Sequence, residues 1–247
     1  MLKNVKPIVR GIPVIGPLCK GVARRYRSWK TLGLSVEETF VDKFRRNAWG
    51  GTESVSGTGS DSAQTRRIIA ELPALLREFK ICSILDLPCG DFFWMRQVEL
   101  RGIRYIGGDI VPELILRNKA FEASTMEFRR MDILTSPLPK LDLVLCRDCL
   151  VHFAYEDVFR ALNNICRSSS MFLLTTTFPR HDRNRDISTG EWRSLNLELK
   201  PFHFPSPLRL LEEGCSDPEE YSDKSLGLWG ISDLKKRLAQ HGKLQPF

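Results

Sequence analysis

The stretch ICSILDLPCGDFFWM, residues 81–95, opens on an apolar run of strand length, Cys82–Leu87. Asp86 stands near its end. Pro88 and Gly90 follow, residues that break a strand and mark a tight turn. Working outward, four more such runs lie downstream: Tyr105–Asp109, Met126–Met131, Leu141–Cys146 and Met171–Thr177. Helical stretches sit between them, at about 92–100, 112–122 and 155–167. This alternation predicts βαβ units and a mainly parallel sheet. Two later runs, Leu208–Leu211 and Leu226–Ile231, are separated by a short acidic loop. That length allows an antiparallel pair and is too short for a helical crossover. The expected fold is therefore α/β, with a mostly parallel seven-stranded sheet, a C-terminal antiparallel strand and helices on both faces.

Upstream, Ser35 and Glu38 form a capping box for a helix near 36–47, with Val36, Phe40, Val41 and Phe44 inward. A Gly/Ser loop runs from Trp49 to Ser60. Asp61 can cap a helix over about 62–79, and Pro73 inside it predicts a kink. The long polar stretch 178–207 contains several prolines and reads as a lid or acceptor-binding insertion. Residues 35–247 thus form one domain, and residues 1–34 a separate basic arm.

Charge supports that division. The chain has 247 residues, 37 Lys+Arg and 30 Asp+Glu, for a net +7. Residues 1–30 hold eight of the basic residues and no acid, so 29 basic and 30 acidic residues remain beyond them. A near-neutral body argues against a nucleic-acid binder charged over its whole surface. The arm is compatible with peripheral contact at a membrane surface or polyanion. Over 18–30, Leu18, Val22, Tyr26 and Trp29 recur at helical spacing among basic residues, as in an interfacial helix. A helix docked on its own body, or a solvated tail, fits the same pattern. Pro7, Pro13 and Pro17 break the apolar start, which argues against a signal peptide, while an acid-free, Arg-rich start also suits a mitochondrial transit segment. Seven cysteines without paired spacing suggest free thiols and a cytoplasmic protein. Cys146 and Cys149 form a lone C-x-x-C. A zinc site needs four ligands, so they read as buried thiols, and no metal is expected.

In a parallel α/β sheet, ligands bind beyond the carboxyl ends of the strands. The first four strands each bring an acid to that edge: Asp86 with Asp91, then Asp109, Asp132 and Asp148, with His152 shortly after the last. Asp109 lies nineteen residues beyond Gly90, which suits a carboxylate accepting from ribose hydroxyls. A pyrophosphate would need more glycines than Gly90, and Pro88 has no N–H to offer it. It would also meet Asp86 and Asp91. A cationic adenosine cofactor, carrying an ammonium and a sulfonium, fits these acids better.

The run LDLPCGDFFWM, followed by YIGGDI and DLVLCRDCLVHF, resembles the motif series of class I S-adenosylmethionine-dependent methyltransferases. It is similar to a bacterial branch with an LDLPCGDF-type first motif, whose substrate is usually unassigned. The resemblance covers about Trp49 to Ile231 and implies a Rossmann-like fold. Pro88 and Phe92 replace two glycines of the superfamily's usual first turn. By position, the resemblance implies cofactor contacts from Asp86, Pro88, Cys89, Gly90, Asp91 and Arg147. It places Asp109 and Ile110 at the ribose, Asp132 and Ile133 at the adenine, and Asp148 near the methyl-donor end. Asp86 capping its turn and Asp132 opening a loop are structural alternatives.

His152 is the candidate general base and Asp148 its catalytic companion; His152 packing against the next helix is the alternative. Arg147 could neutralise an anionic acceptor or pair with Asp148. Acceptor contacts are expected from Trp49, Glu191, Trp192, Arg193 and Asn196, because polar groups around a Trp can hold a sugar ring. Trp192 as a packing residue is the bland reading. The expected function is methyl transfer from S-adenosylmethionine to a small-molecule or glycan acceptor, O-methylation first, with surface polysaccharide as one target. Alternatives are an RNA or protein methyltransferase using the arm, and a non-catalytic module.

Overall fold

The computed structural model describes residues 33–215 and 221–243. The chain divides into two units between Ser35 and Val36. The helix expected over 18–30 lies outside the described residues, as does the arm up to residue 32.

In the second unit, α1 (Val36–Arg45) carries Glu37 and Glu38 in its first turn and Lys43 and Arg45 in its last, which complements the helix dipole. The second helix, α2 (Ser62–Glu78), continues through Pro73 and buries Thr65, Ile68, Leu72, Leu75 and Leu76 along one stripe. Asp61 stands at its N-cap position, but its side chain does not cap the helix. It accepts the Ser54 N–H at 3.3 Å instead.

Seven strands follow: β1 (Ser83–Asp86), β2 (Arg104–Asp109), β3 (Met126–Arg130), β4 (Leu143–Cys146), β5 (Phe172–Thr177), β6 (Arg209–Glu212) and β7 (Ser225–Gly230). Their order across the sheet is β3-β2-β1-β4-β5-β7-β6. The first five are parallel, and β7 runs antiparallel between β5 and β6. Helix α3 (Pro112–Asn118) follows β2, α4 (Tyr155–Arg167) precedes β5, and α5 (Ile231–Gln240) closes the chain after β7.

Strand side chains alternate between two cores. Leu85, Ile106, Val144 and Leu173 pack with Val158, Leu162 and Ile165 of α4 and Leu234 of α5. Ile84, Tyr105, Leu143, Leu145 and Leu174 pack with Ile68, Leu72 and Leu75 of α2 and Ile115 of α3. Both faces are covered, so the sheet's central strands carry almost no polar residues before their ends.

Two expectations about helices need correction. The stretch 92–100 forms only a 3-10 turn, Met95–Gln97. Trp94, Met95 and Val98 share a helical stripe, but Phe92 is buried in a separate aromatic pocket, against Tyr105, Phe121 and Phe128. Phe92 reaches that pocket with φ of 59°, which breaks any helix at its start. At the other end, the apolar run stops at Gly230. Ile231 begins α5, whose buried Ile231, Leu234 and Leu238 recur at helical spacing. No helix of the described residues is long and apolar enough to cross a membrane.

Candidate active site

The carboxyl ends of β1, β2, β4 and β5 open into a cavity of about 600 Å³. Asp86, at the end of β1, is buried. Its Oδ2 accepts a 2.7 Å hydrogen bond from the Tyr105 hydroxyl, and its Oδ1 is buried without a partner. Burial pushes its pKa up to about 7, against the pull of Tyr105. Asp109, at the end of β2, is raised to about 6, again by burial first, with backbone hydrogen bonds opposing. Its carboxylate accepts the Gly90 N–H at 3.0 Å and the Val111 N–H at 2.9 Å. The Ile110 N–H also lowers its pKa by a backbone hydrogen bond; a carboxylate has about four acceptor sites, so capacity for a hydroxyl donor remains.

Between them lies the first turn. Gly90 has φ of 55°, and a Cβ there would stand 2.2 Å from Ser56 Oγ. A side chain is excluded because the Gly/Ser loop is strapped onto this turn. Asp91 does the strapping. It accepts from the Ser54 hydroxyl at 2.9 Å, the Val55 N–H at 2.9 Å and the Ser56 hydroxyl at 3.1 Å. Asp91 lines the cavity, but its oxygens are occupied by this loop. Asp132 lines the cavity, but its carboxylate accepts from the Leu134 N–H and the Thr135 hydroxyl, so it also opens a loop.

Beyond β4 the wall is ionic. Arg147 grips Glu213 with two hydrogen bonds, Nε to Oε1 at 3.1 Å and Nη2 to Oε2 at 2.6 Å, and donates to the Gly59 carbonyl at 2.7 Å. Its guanidinium lies over the Trp94 ring at 5.4 Å. Lys224 reaches Asp148 at 2.6 Å and Glu213 at 3.2 Å. Two cations and two carboxylates thus form a closed quartet. Burial alone would raise the Asp148 pKa, but Lys224 and Arg147 outweigh it and hold it at about 2. Lys224 and Arg147 thus hold the Asp148 carboxylate as an anion in the cavity wall, beside His152. Arg147 is spent on Glu213 and Asp148, leaving little of it for an anionic acceptor.

His152 ends the 3-10 turn Leu150–His152 and lines the cavity. Its Nδ1 lies 2.9 Å from the Glu191 carbonyl. A carbonyl only accepts, so Nδ1 carries the proton and Nε2 the lone pair. Burial pushes the ring's pKa down to about 4, so it is neutral at ordinary pH. The turn is held from the segment 190–193. The Gly190 N–H donates to the His152 carbonyl, and the Arg193 N–H to the Val151 carbonyl.

Three expected acceptor residues do not line the cavity. Arg193 is 1% exposed and donates to the Leu150 and Phe153 carbonyls, both at 2.9 Å. Asn196 is buried and donates to the Pro179 and His181 carbonyls. Glu191 turns its carboxylate onto the Ser188 N–H. Each satisfies backbone groups of a long loop that has no ladder of its own. Of the segment 178–207, only Phe178 and Trp192 line the cavity. Leu195, Leu197, Phe202 and Phe204 bury themselves in the core beneath it. Trp49, Pro88, Cys89, Ile110 and Ile133 line the cavity.

Glu213 and Lys224 escaped sequence reasoning. They sit in what reads as an acidic turn, and nothing local marks them as partners of β4. Tyr105 escaped too, as one more aromatic in an apolar strand.

Residues 85–172 match the family model of the methyltransferase domain. Solved methyltransferases share the fold at low identity. Human N-acetylserotonin methyltransferase, in complex with S-adenosylmethionine, superimposes with a TM-score of 0.54 at 16% identity over 81% of this chain. The chain spans 60% of that protein's length. Magnesium protoporphyrin IX methyltransferase from Synechocystis PCC 6803, with bound S-adenosylmethionine, gives 0.56 at 12% identity, covering 80% of this chain and 98% of that one. Burkholderia thailandensis 1,6-didemethyltoxoflavin-N1-methyltransferase, with bound 1,6-didemethyltoxoflavin and S-adenosylhomocysteine, gives 0.52 at 16% identity, covering 78% and 86%. No curated protein matches the chain. The domain match marks a methyltransferase core over residues 85–172, and these likenesses show a shared Rossmann-like fold.

Proposed function

We propose that this chain methylates a small-molecule acceptor at a hydroxyl, with S-adenosylmethionine as donor and His152 as general base. The observation that carries the reading is the unpartnered Oδ1 of buried Asp86 beside the turn at Gly90. A buried acceptor without a donor is costly, and the ammonium of a methionine moiety supplies one. The chain fits the group in two further respects. Asp109 keeps acceptor capacity for a ribose hydroxyl, and Ile110, Ile133 and Leu114 offer an apolar wall for adenine. When bound, the cofactor supplies an electrophilic methyl on a sulfonium.

The chain's own part is positioning and proton removal. The 3-10 turn fixes His152, the Glu191 carbonyl fixes its tautomer, and Nε2 is left to take a hydroxyl proton. The Lys224–Asp148 pair holds the β4 end rigid, so alignment of nucleophile and methyl is set before binding.

Calorimetry tests the cofactor. S-adenosylmethionine and its demethylated product should bind one to one. Asp109→Ala should weaken both about 100-fold, as expected for lost charge-assisted hydrogen bonds. Absence of heat with either nucleoside ends the enzyme reading. His152→Ala should keep cofactor affinity and lower kcat by about 10²–10⁴ with any acceptor that turns over. Because the active form is neutral, the acid limb of the wild-type kcat profile should lie near pH 4 rather than near 6.5, falling as pH drops. Full turnover by the variant removes His152 as the base.

A further inference from the structure

The acceptor half of the cavity lies over β4 and β5, away from Asp109, Ile110 and Ile133, and its walls are aromatic. One wall is Phe40, Trp49 and Phe153: Phe40 stacks on Trp49 at 6.4 Å with an interplanar angle of 19°, and meets Phe153 edge-on at 5.7 Å. Trp49 in turn lies edge-on to His152 at 6.2 Å. The other wall is Phe178, Trp192 and Tyr221, linked at 6.1 Å and 5.0 Å. All six line the same cavity as His152.

The geometry points to an acceptor that is a planar, apolar aromatic carrying one hydroxyl, such as a phenol or naphthol-like ring, rather than a sugar. This rests on the methyltransferase reading for its chemistry, but not for its binding. A sugar presents many hydroxyls, each needing a partner once desolvated. Beside these walls Arg193, Asn196 and Glu191 face away from the cavity, onto carbonyls and an N–H of their own loop, and Asp148 and Lys224 bind each other, so this end offers a sugar few charged partners. A flat apolar ring needs only faces and edges, which aromatic walls supply. One hydroxyl needs one acceptor, and His152 Nε2 is that acceptor. The reaction balances: the acceptor O–H proton passes to His152, an oxygen–methyl bond forms, and the donor's sulfur–methyl bond breaks to leave a neutral thioether.

The test separates this inference from the cofactor reading. S-adenosylhomocysteine binding is measured first, by calorimetry. Quenching of intrinsic tryptophan fluorescence is then followed with 2-naphthol and with maltose, with and without S-adenosylhomocysteine. The expected result is saturable 2-naphthol binding and none for maltose. Trp192→Ala, and independently Tyr221→Leu, should weaken naphthol about tenfold or more while S-adenosylhomocysteine affinity is retained. The second variant covers the case in which the first fails to fold. Saturable maltose binding that Trp192→Ala removes, or absent naphthol binding in a protein that binds S-adenosylhomocysteine, overturns the inference. Loss of S-adenosylhomocysteine binding with naphthol binding intact overturns the cofactor reading and leaves the aromatic site standing.

Discussion

A Glu213→Ala variant is expected to lose about 3–5 kcal/mol of folding stability, because it strips a buried cation pair of one of its two carboxylates. The Glu213 side chain is 0% exposed, and those of Arg147 and Lys224 are 4% and 7%. Taking charges from water is costly, and only the mutual arrangement of the four groups offsets it. With Glu213 gone, Arg147 keeps the Gly59 carbonyl and a 3.3 Å contact to Asp148, which already serves Lys224. In a chain of this size the melting temperature should fall by roughly 10 °C, followed by circular dichroism. Adding Arg147→Met to Glu213→Leu should recover part of the loss, since the Lys224–Asp148 pair is then complete by itself. A single variant that melts within about a degree of wild type would show that the quartet carries no stability.

Asp86→Asn should act in the opposite sense on stability and strongly on binding. Folding raises the Asp86 pKa from its ordinary value to about 7. Between those two values the native state holds a proton that the unfolded chain has released. Stability of the cofactor-free protein therefore falls as pH rises across that window, and the penalty is complete above pH 7. Asparagine cannot ionise, so the variant escapes the penalty. Its advantage should be small near pH 4, grow to about 1–3 kcal/mol by pH 7, and level off. The same change removes the anion facing the methionine ammonium, so S-adenosylmethionine affinity should drop about 10- to 100-fold. Wild-type binding should release a proton near neutral pH, visible as a buffer-dependent heat. A variant less stable than wild type at every pH, or one that binds the cofactor as tightly, would remove Asp86 from this role.

These two variants mark the boundary between what was legible in the chain and what was not. Asp86, Asp109 and His152 could be expected at the cavity because each stands at or just past a strand end. Once strand–helix alternation makes the sheet parallel, its ends share one edge. Asp91 stands in the same turn, yet its oxygens serve a loop 35–37 residues upstream. Arg193 and Asn196 read as polar residues of a long loop, and nothing local tells whether such a residue faces a ligand or its own backbone.

Read alone, the chain determined the strands, their alternation with helices and the antiparallel ending, because apolar period and turn residues act over a few positions. It also determined that acids crowd one edge. Only the tertiary structure decided which of these acids are tied to other parts of the chain. Arg147 meets Glu213 across 66 residues, and Lys224 meets Asp148 across 76. Such pairings depend on β7 lying beside β5 and β6 beside β7, which no local pattern encodes. The same packing sets the character of the cavity around His152. It turns Arg193 and Asn196 onto carbonyls and Glu191 onto a backbone N–H, and leaves aromatic rings facing the cavity, because buried backbone groups must find partners before any ligand does.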